Sequence, residues 1–183
     1  FSRLREVFFV LYEESLLERF LDVLVSVLLD ADVTKPDGGR PAELVADAIE
    51  KGGKVLVGGD IPDGPGWFYP PTVIADVPTE ARVCREEIFG PVAPVTSFAT
   101  DDEALDLAND TEFGLIAYAY PRDLDRALAV AEGLESGMVG LNAGVISNPA
   151  APFGGVKASG FGREGGREGI EEYLEVKYVG IAH

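Results

Sequence analysis

Short apolar runs and helical stretches take turns along most of this chain, and that alternation admits few architectures. Phe8–Leu11, Lys54–Val57, Thr72–Val77, Pro91–Phe98, Leu115–Tyr120 and Met138–Asn142 read as strands. Helical patterning covers Ala42–Lys51, Thr100–Asn109 and Asp123–Leu134. The longest helical stretch is Glu13–Leu29, whose Leu16, Leu17, Phe20, Leu21, Leu24, Val27 and Leu28 form a stripe wide enough to be buried on more than one side. Gly52 and Gly53 stop one helix, and Thr100 with Glu103 spells a capping box that opens another. The expected class is therefore α/β, a mostly parallel sheet flanked by helices. Asp30–Pro41 and Gly58–Gly66 read as loops, and Ala143–Gly162 as a long glycine-rich one. Beyond it, Glu164–Tyr173 is weakly helical. Leu174–Ile181 alternates like a strand that can leave the main sheet and pair elsewhere.

Counts of residue types remove whole classes of function. The chain has 183 residues, 32 acidic against 15 basic, and a net charge of −17. Such a surface repels phosphate backbones, so neither nucleic acid nor an anionic membrane is an expected partner. The apolar run near Val23–Leu29 is broken by Ser26 and too short to span a bilayer. No signal peptide is evident at the N-terminus, which places the expected compartment in the cytoplasm. The one cysteine, Cys84, excludes an internal disulfide and a cysteine-rich metal site. The one histidine, His183, excludes serine–histidine triads and histidine metal clusters.

Four stretches hold candidate chemistry. Gly160-Phe161-Gly162-Arg163-Glu164-Gly165 fits G-x-G-x-x-G. That pattern binds a dinucleotide only when a strand feeds it and a helix receives the pyrophosphate. No apolar strand precedes it here, so a structural loop with unusual backbone angles is the preferred reading. Cys84 lies between Arg82 and Arg85, which could lower its pKa, but Glu86 and Glu87 oppose them and no internal histidine can act as base. A plain small side chain at a strand–turn boundary is favoured over a nucleophile. The Glu86–Glu87 pair could do acid–base work, or could split into one exposed carboxylate and one that caps a turn. Asn142–Phe161 is a loop long enough to be functional, or a flexible connection to the last strand.

Two motifs then stand out together. Glu86-Glu87-Ile88-Phe89-Gly90-Pro91-Val92 resembles the E-E-[IT]-F-G-P motif of the aldehyde dehydrogenase superfamily, and Pro152-Phe153-Gly154-Gly155-Val156-Lys157-Ala158-Ser159-Gly160 resembles its P-F-G-G-x-K-x-S-G motif. They are separated by about the family's distance, with Asn109-Asp110-Thr111-Glu112-Phe113-Gly114-Leu115 between them. Val139–Ser147 and Gly169–Tyr178 look most like the succinate-semialdehyde dehydrogenase branch. The resemblance runs from about Lys54 to the end and is weaker over Phe1–Gly53.

The resemblance implies a partial catalytic domain over residues 1–162 and a C-terminal helix with an oligomerisation strand over residues 163–183. It implies that Glu87 hydrogen-bonds the ribose of NAD or NADP, as a carboxylate can accept from two hydroxyls. Phe89 would pack near the nicotinamide, Ser147 would contact the substrate carboxylate, and Phe153 would line the aldehyde pocket. The family's reaction is thiolate attack on the aldehyde, hydride transfer to NAD(P)+ and hydrolysis of the thioester. The family's cysteine lies in a G-Q-x-C segment that this sequence lacks, along with the dinucleotide-binding half, so no catalytic residue is assigned. The expectation is a fragment of an NAD(P)+-dependent enzyme acting on a small aldehyde such as succinate semialdehyde, inactive alone. It would form a homo-oligomer or pair with a complementary chain. The alternatives are a non-catalytic assembly module that pairs with full-length subunits, and one half of a split enzyme.

Overall fold

A computed structural model describes residues 10–13, 39–63 and 69–182. The chain divides into two compact units, one within Val7–Thr111 and the other within Glu112–His183. Each is built from strands and helices, as the alternating pattern requires.

In the first unit, β1 (Val10–Glu13), β2 (Lys54–Val57), β3 (Thr72–Ala75) and β4 (Val92–Phe98) form one sheet in the order β1-β4-β3-β2. β1 and β3 run parallel to β4, with Val10 beside Val95 and Thr72 beside Val92. β2 is antiparallel to β3, with Lys54 beside Ala75. β3 is buried along its whole length because it lies between two strands and beneath a helix. That helix, α1 (Gly39–Glu50), turns Pro41, Leu44, Val45 and Ala48 inward. They pack with Ile74, Val77, Ala81, Val83, Ile88 and Val92 in the core. α1 begins earlier than expected. Residues 39–41, read as loop from their glycine and proline, are helical, and proline is tolerated in a first turn that needs no amide donor. It ends at the expected glycines, where the Gly53 amide donates to the Ala48 carbonyl at 2.8 Å.

A short 3-10 turn, Arg82–Cys84, precedes β4, and α2 (Asp101–Asn109) follows it. The cap at Thr100 is as read, with its hydroxyl accepting from the Glu103 amide at 3.2 Å. The reciprocal arm is shifted by one residue: the Glu103 carboxylate accepts from Ala99 rather than Thr100, at 2.8 Å. Apart from Glu13, which ends β1, the expected helix Glu13–Leu29 lies outside the described residues, as do Phe8 and Phe9.

The second unit holds two small sheets. β6 (Ile116–Ala119) pairs parallel with β7 (Met138–Leu141), joined by α3 (Leu124–Gly133), which Asp123 caps through the Arg126 amide at 2.9 Å. β5 (Phe113–Gly114) pairs antiparallel with β8 (Val156–Lys157). The weak helix over Glu164–Tyr173 contracts to α4 (Glu168–Glu171), because Gly165 and Gly166 adopt left-handed φ of +69° and +60° just before it. Leu174–Ile181 makes no strand among the described residues and is exposed throughout, since no neighbouring strand edge meets it.

Candidate functional site

The Glu86–Pro91 turn is fixed from three directions. Ile88, 5% exposed, enters the core beneath α1. Past it, the Pro91 carbonyl accepts from the Thr72 amide at 2.8 Å, which docks the turn on β3. Before it, Glu86 holds the Arg82 guanidinium at 2.6 and 3.1 Å and lies 3.7 Å from Arg40 on α1. The hydrogen bond from Arg82 holds the Glu86 carboxyl below the usual carboxylate range, with further pull from the Arg82 and Arg40 charges. Asp47, on α1, accepts from the Arg82 backbone amide at 2.8 Å and so closes the open end of the 3-10 turn.

Glu86 is thereby engaged as a brace between the 3-10 turn and α1. Glu87 is half-buried, and Phe89 is 57% exposed. Phe89 also has φ of +49°, a conformation that a bulky aromatic residue rarely adopts. A buried Ile88 sits between the half-buried Glu87 and the exposed Phe89, so a carboxylate and an aromatic ring stand two residues apart on one turn. The pairing suits a ribose and an aromatic base edge: one group accepts hydroxyl protons and the other offers a flat apolar face.

Gly90 has little room. A Cβ there would lie 2.9 Å from Cγ of Pro41, so the turn and the first turn of α1 pack with nothing between them.

Ser147 and Phe153 belong to the second unit. Ser147 is exposed on the stretch between β7 and β8. Phe153 is half-buried and locked by two 2.7 Å backbone hydrogen bonds with Glu164. The following motif residues are tied down as closely. The Ser159 hydroxyl accepts from the Gly114 amide at 2.9 Å, and Arg163 donates to the carbonyls of Gly155 and Gly162 at 2.8 and 2.7 Å. A Cβ on Gly137 would lie 2.0 Å from the Gly154 carbonyl oxygen, so the Phe153-Gly154-Gly155 backbone runs directly against residue 137.

The long stretch between β7 and β8 is anchored at both ends. Asn142 has φ of +52°, and its side-chain amide donates to the Pro121 carbonyl at 3.0 Å. Its backbone amide donates to Ala119, and the Tyr120 hydroxyl donates to the Ala143 carbonyl at 3.1 Å. At the far end, Asn148 accepts the Ala150 amide on its side chain at 2.9 Å, and Pro149 accepts the Gly166 amide at 3.0 Å. Asn142 falls within the Val139–Ser147 stretch, but nothing there marks its role, and Tyr120 lies outside every stretch that carries the resemblance. The available signal is an asparagine directly after a strand, a residue that tolerates the left-handed region.

Two sequence candidates fall away. Cys84 is buried, donates weakly to the Pro78 carbonyl, and has its thiol pushed up to about 12 by burial, against a smaller downward pull from Arg85. The flanking arginines are otherwise occupied, Arg82 by Glu86 and Arg85 by Asp110 at 2.6 Å. The G-x-G-x-x-G stretch opens no phosphate site. Gly160, Gly162 and Gly165 have φ of +116°, +79° and +69° in a loop that no strand feeds, which is the structural reading. Among the described residues no cluster of potential ligands could hold a metal ion.

Comparisons with known proteins agree with these motifs. The Aldehyde dehydrogenase family model matches residues 31–179. A succinate-semialdehyde dehydrogenase of Paenarthrobacter nicotinovorans is 60% identical over 139 residues, 76% of this chain and 31% of that protein. A glutarate-semialdehyde dehydrogenase of Pseudomonas aeruginosa is 56% identical over 157 residues, 86% of this chain and 32% of that protein. Among solved structures, an NADP dependent enzyme of E. coli superposes with a TM-score of 0.85 at 44% identity, covering 93% of this chain and 38% of that one. The chain thus spans about a third of the length of the curated relatives it matches.

Proposed function

Since this chain belongs to the aldehyde dehydrogenase family, we propose that it supplies one wall of the cofactor site and one wall of the substrate pocket for NAD(P)+-dependent oxidation of an aldehyde carrying a distant carboxylate. Succinate semialdehyde is the first choice. The two curated relatives described above, both named for semialdehydes of dicarboxylic acids, support that class, and the NADP dependent structural neighbour supports the cofactor. The observation that carries the reading is the turn at Glu86–Pro91, where the half-buried carboxylate of Glu87 and the exposed ring of Phe89 flank a buried Ile88.

In this reading Glu87 accepts hydrogen bonds from the ribose hydroxyls next to the nicotinamide, and Phe89 packs against the nicotinamide. The cofactor, when bound, accepts the hydride. Ser147 donates to the carboxylate of the substrate, whose burial without a donor would be costly. Phe153 lines the aldehyde pocket, held in place by its pairing with Glu164. The described residues offer no activated nucleophile, because the Cys84 thiol stays protonated at neutral pH. The chain alone therefore does not turn over, and the attacking thiolate comes from sequence outside it.

Residues 1–162 act as the partial catalytic domain and residues 163–183 as an assembly segment. Tyr173, Leu174, Val176, Tyr178, Val179 and Ile181 are 65% to 99% exposed, a run of apolar side chains that joins no sheet among the described residues. That exposure favours pairing with another subunit or a complementary chain, and it equally supports a non-catalytic assembly module. No helix among the described residues is long and apolar enough to cross a membrane. The net charge of −17 argues against nucleic acid, and a cytoplasmic setting fits the reading.

The test joins the part of the Paenarthrobacter relative that this chain does not cover to residues 39–183, and follows NAD(P)H formation from succinate semialdehyde. The chimera turns over, while the purified chain and its Cys84→Ser variant are equally inert. Turnover by the chain alone that Cys84→Ser abolishes would overturn the reading. A folded chimera that stays inert would favour the assembly module.

A further inference from the structure

Ser147 is exposed, yet a hydroxyl that selects one substrate class must be held in place before the substrate arrives. The residues just before it, 143–146, lie in no helix or strand. What holds the entrance to this stretch is a clasp at the end of β7. The Asn142 backbone amide bonds Ala119 at 2.9 Å, and its side-chain amide bonds Pro121 at 3.0 Å, so one residue grips both sides of the turn that leaves β6. Its φ of +52° redirects the chain sharply after the strand. From the opposite side of that turn, the Tyr120 hydroxyl takes the very next carbonyl, Ala143. Four residues separate Asn142 from Ser147, and the far end is pinned by Asn148 and by Pro149 to Gly166. A short span fixed at both ends has few conformations left, and loosening either end multiplies them.

We propose that Asn142, seconded by Tyr120, is a positioning residue that sets substrate specificity by presenting the Ser147 hydroxyl. The inference rests on the proposed role of Ser147 but assigns to Asn142 and Tyr120 a function that the family resemblance does not give them. Asn142 touches no substrate. It acts by making the hydroxyl's position independent of ligand, so that binding does not have to order the loop.

Three properties distinguish this from a general structural role. The effect is confined to substrates with the distant carboxylate. It depends on the Asn142 side chain and not merely on its backbone angle. It vanishes when Ser147 is gone.

The experiment uses the chimera described above and measures kcat/KM for succinate semialdehyde and for butanal, an apolar aldehyde of the same chain length. Asn142→Gly permits the left-handed backbone without a Cβ penalty, removes the side-chain bond and frees the backbone at the same end of the span. The ratio of the two kcat/KM values falls about three- to tenfold, the range of one net hydrogen bond. Tyr120→Phe keeps the ring and lowers the ratio about two- to threefold, as a weaker, exposed bond should. Ser147→Ala lowers it at least as far as Asn142→Gly, and adding Asn142→Gly to Ser147→Ala lowers it no further.

Equal losses on both aldehydes in Asn142→Gly would overturn the inference, since they mark a purely structural residue. So would a further fall in the Ser147→Ala background, which would mean that Asn142 acts through something else. A ratio untouched by Ser147→Ala would instead overturn the Ser147 role, and this inference with it. A second readout needs no activity. In the purified chain, the heteronuclear NOE of the Val145–Ser147 amides drops in Asn142→Gly, and unchanged values would contradict the clasp.

Discussion

Replacing Phe89 by alanine and by glycine separates the two physical demands on the Glu86–Pro91 turn. Both substitutions remove the same ring, which is 57% exposed and so contributes only a minor share of its full burial energy. They differ in the backbone. At an ordinary position glycine is less stable than alanine by about 0.5–1 kcal/mol, because it has more freedom to lose on folding. Residue 89 is not ordinary, with φ of +49°. A residue with a Cβ pays about 1–2 kcal/mol to adopt that left-handed region, and glycine pays nothing. The difference therefore changes sign, with Phe89→Gly more stable than Phe89→Ala by roughly 0.5–1 kcal/mol. Urea denaturation of the whole chain followed by far-ultraviolet circular dichroism reads this as a midpoint about 0.3–0.5 M higher for glycine, with slopes near 2 kcal/mol/M. Both variants in the chimera lose the proposed nicotinamide contact, so the gain in stability brings no gain in turnover. An alanine variant as stable as the glycine variant would refute the reasoning, since it would mean that the turn imposes no backbone cost.

Two further outcomes follow from the same geometry. The Cys84 thiol, pushed up to about 12 by burial, binds its proton more tightly when folded than when unfolded. Its contribution is therefore complete below about pH 8.5, the ordinary thiol value, and is lost as pH rises toward 12, by an amount of order a few kcal/mol. Stability against urea measured from pH 8 to pH 11 falls more steeply in the native chain than in Cys84→Ser, and identical slopes would contradict the burial argument. Gly137→Ala places a methyl 2.0 Å from the Gly154 carbonyl, backbone against backbone, so it costs more than 2 kcal/mol and lowers the melting temperature of the second unit. A variant within 0.5 kcal/mol of the parent, on the order of a surface change, would show that the two segments do not pack as described.

Much of the fold was readable because local signals were strong and unopposed. Gly52 and Gly53 end α1, Thr100 and Asp123 cap α2 and α3, and alternating apolar runs mark β3, β4, β6 and β7. The errors have physical causes. Pro41 reads as a loop residue, but at the start of a helix its missing amide costs nothing, and burial against Gly90 rewards it. The Glu164–Tyr173 pattern promised a longer helix, but residues 162–166 carry three glycines at positive φ and leave only one turn. Leu174–Ile181 is a different case: its alternation was read as a strand that pairs outside the main sheet, and among the described residues it joins no sheet, because pattern records which faces are apolar and not where a second strand comes from.

The site was legible only in part. Glu87, Phe89, Ser147 and Phe153 stood out through the stretches that resemble the family, and Glu87 and Phe89 flank a buried Ile88. What the sequence concealed is support. Arg82 and Arg40 engage Glu86 across 4 and 46 positions of chain, and Asn142 reaches back to Pro121. The contacts of Arg40 and Asn142 depend on tertiary placement and leave no local pattern, whereas Arg82 and Glu86 have the spacing of a local ion pair.

The most direct test of the account is Glu87→Ala in the chimera, with KM for the nicotinamide cofactor and turnover of succinate semialdehyde measured together. Losing a carboxylate that accepts from ribose hydroxyls should lower kcat/KM for the cofactor by about tenfold or more, from the 1.5–3 kcal/mol of a hydrogen bond to a charged group. Urea stability should stay close to that of the parent, because Glu87 lies outside the core that Ile88 enters. A Glu87→Ala chimera with unchanged cofactor KM and unchanged kcat/KM would contradict the claim that this turn forms a wall of the cofactor site.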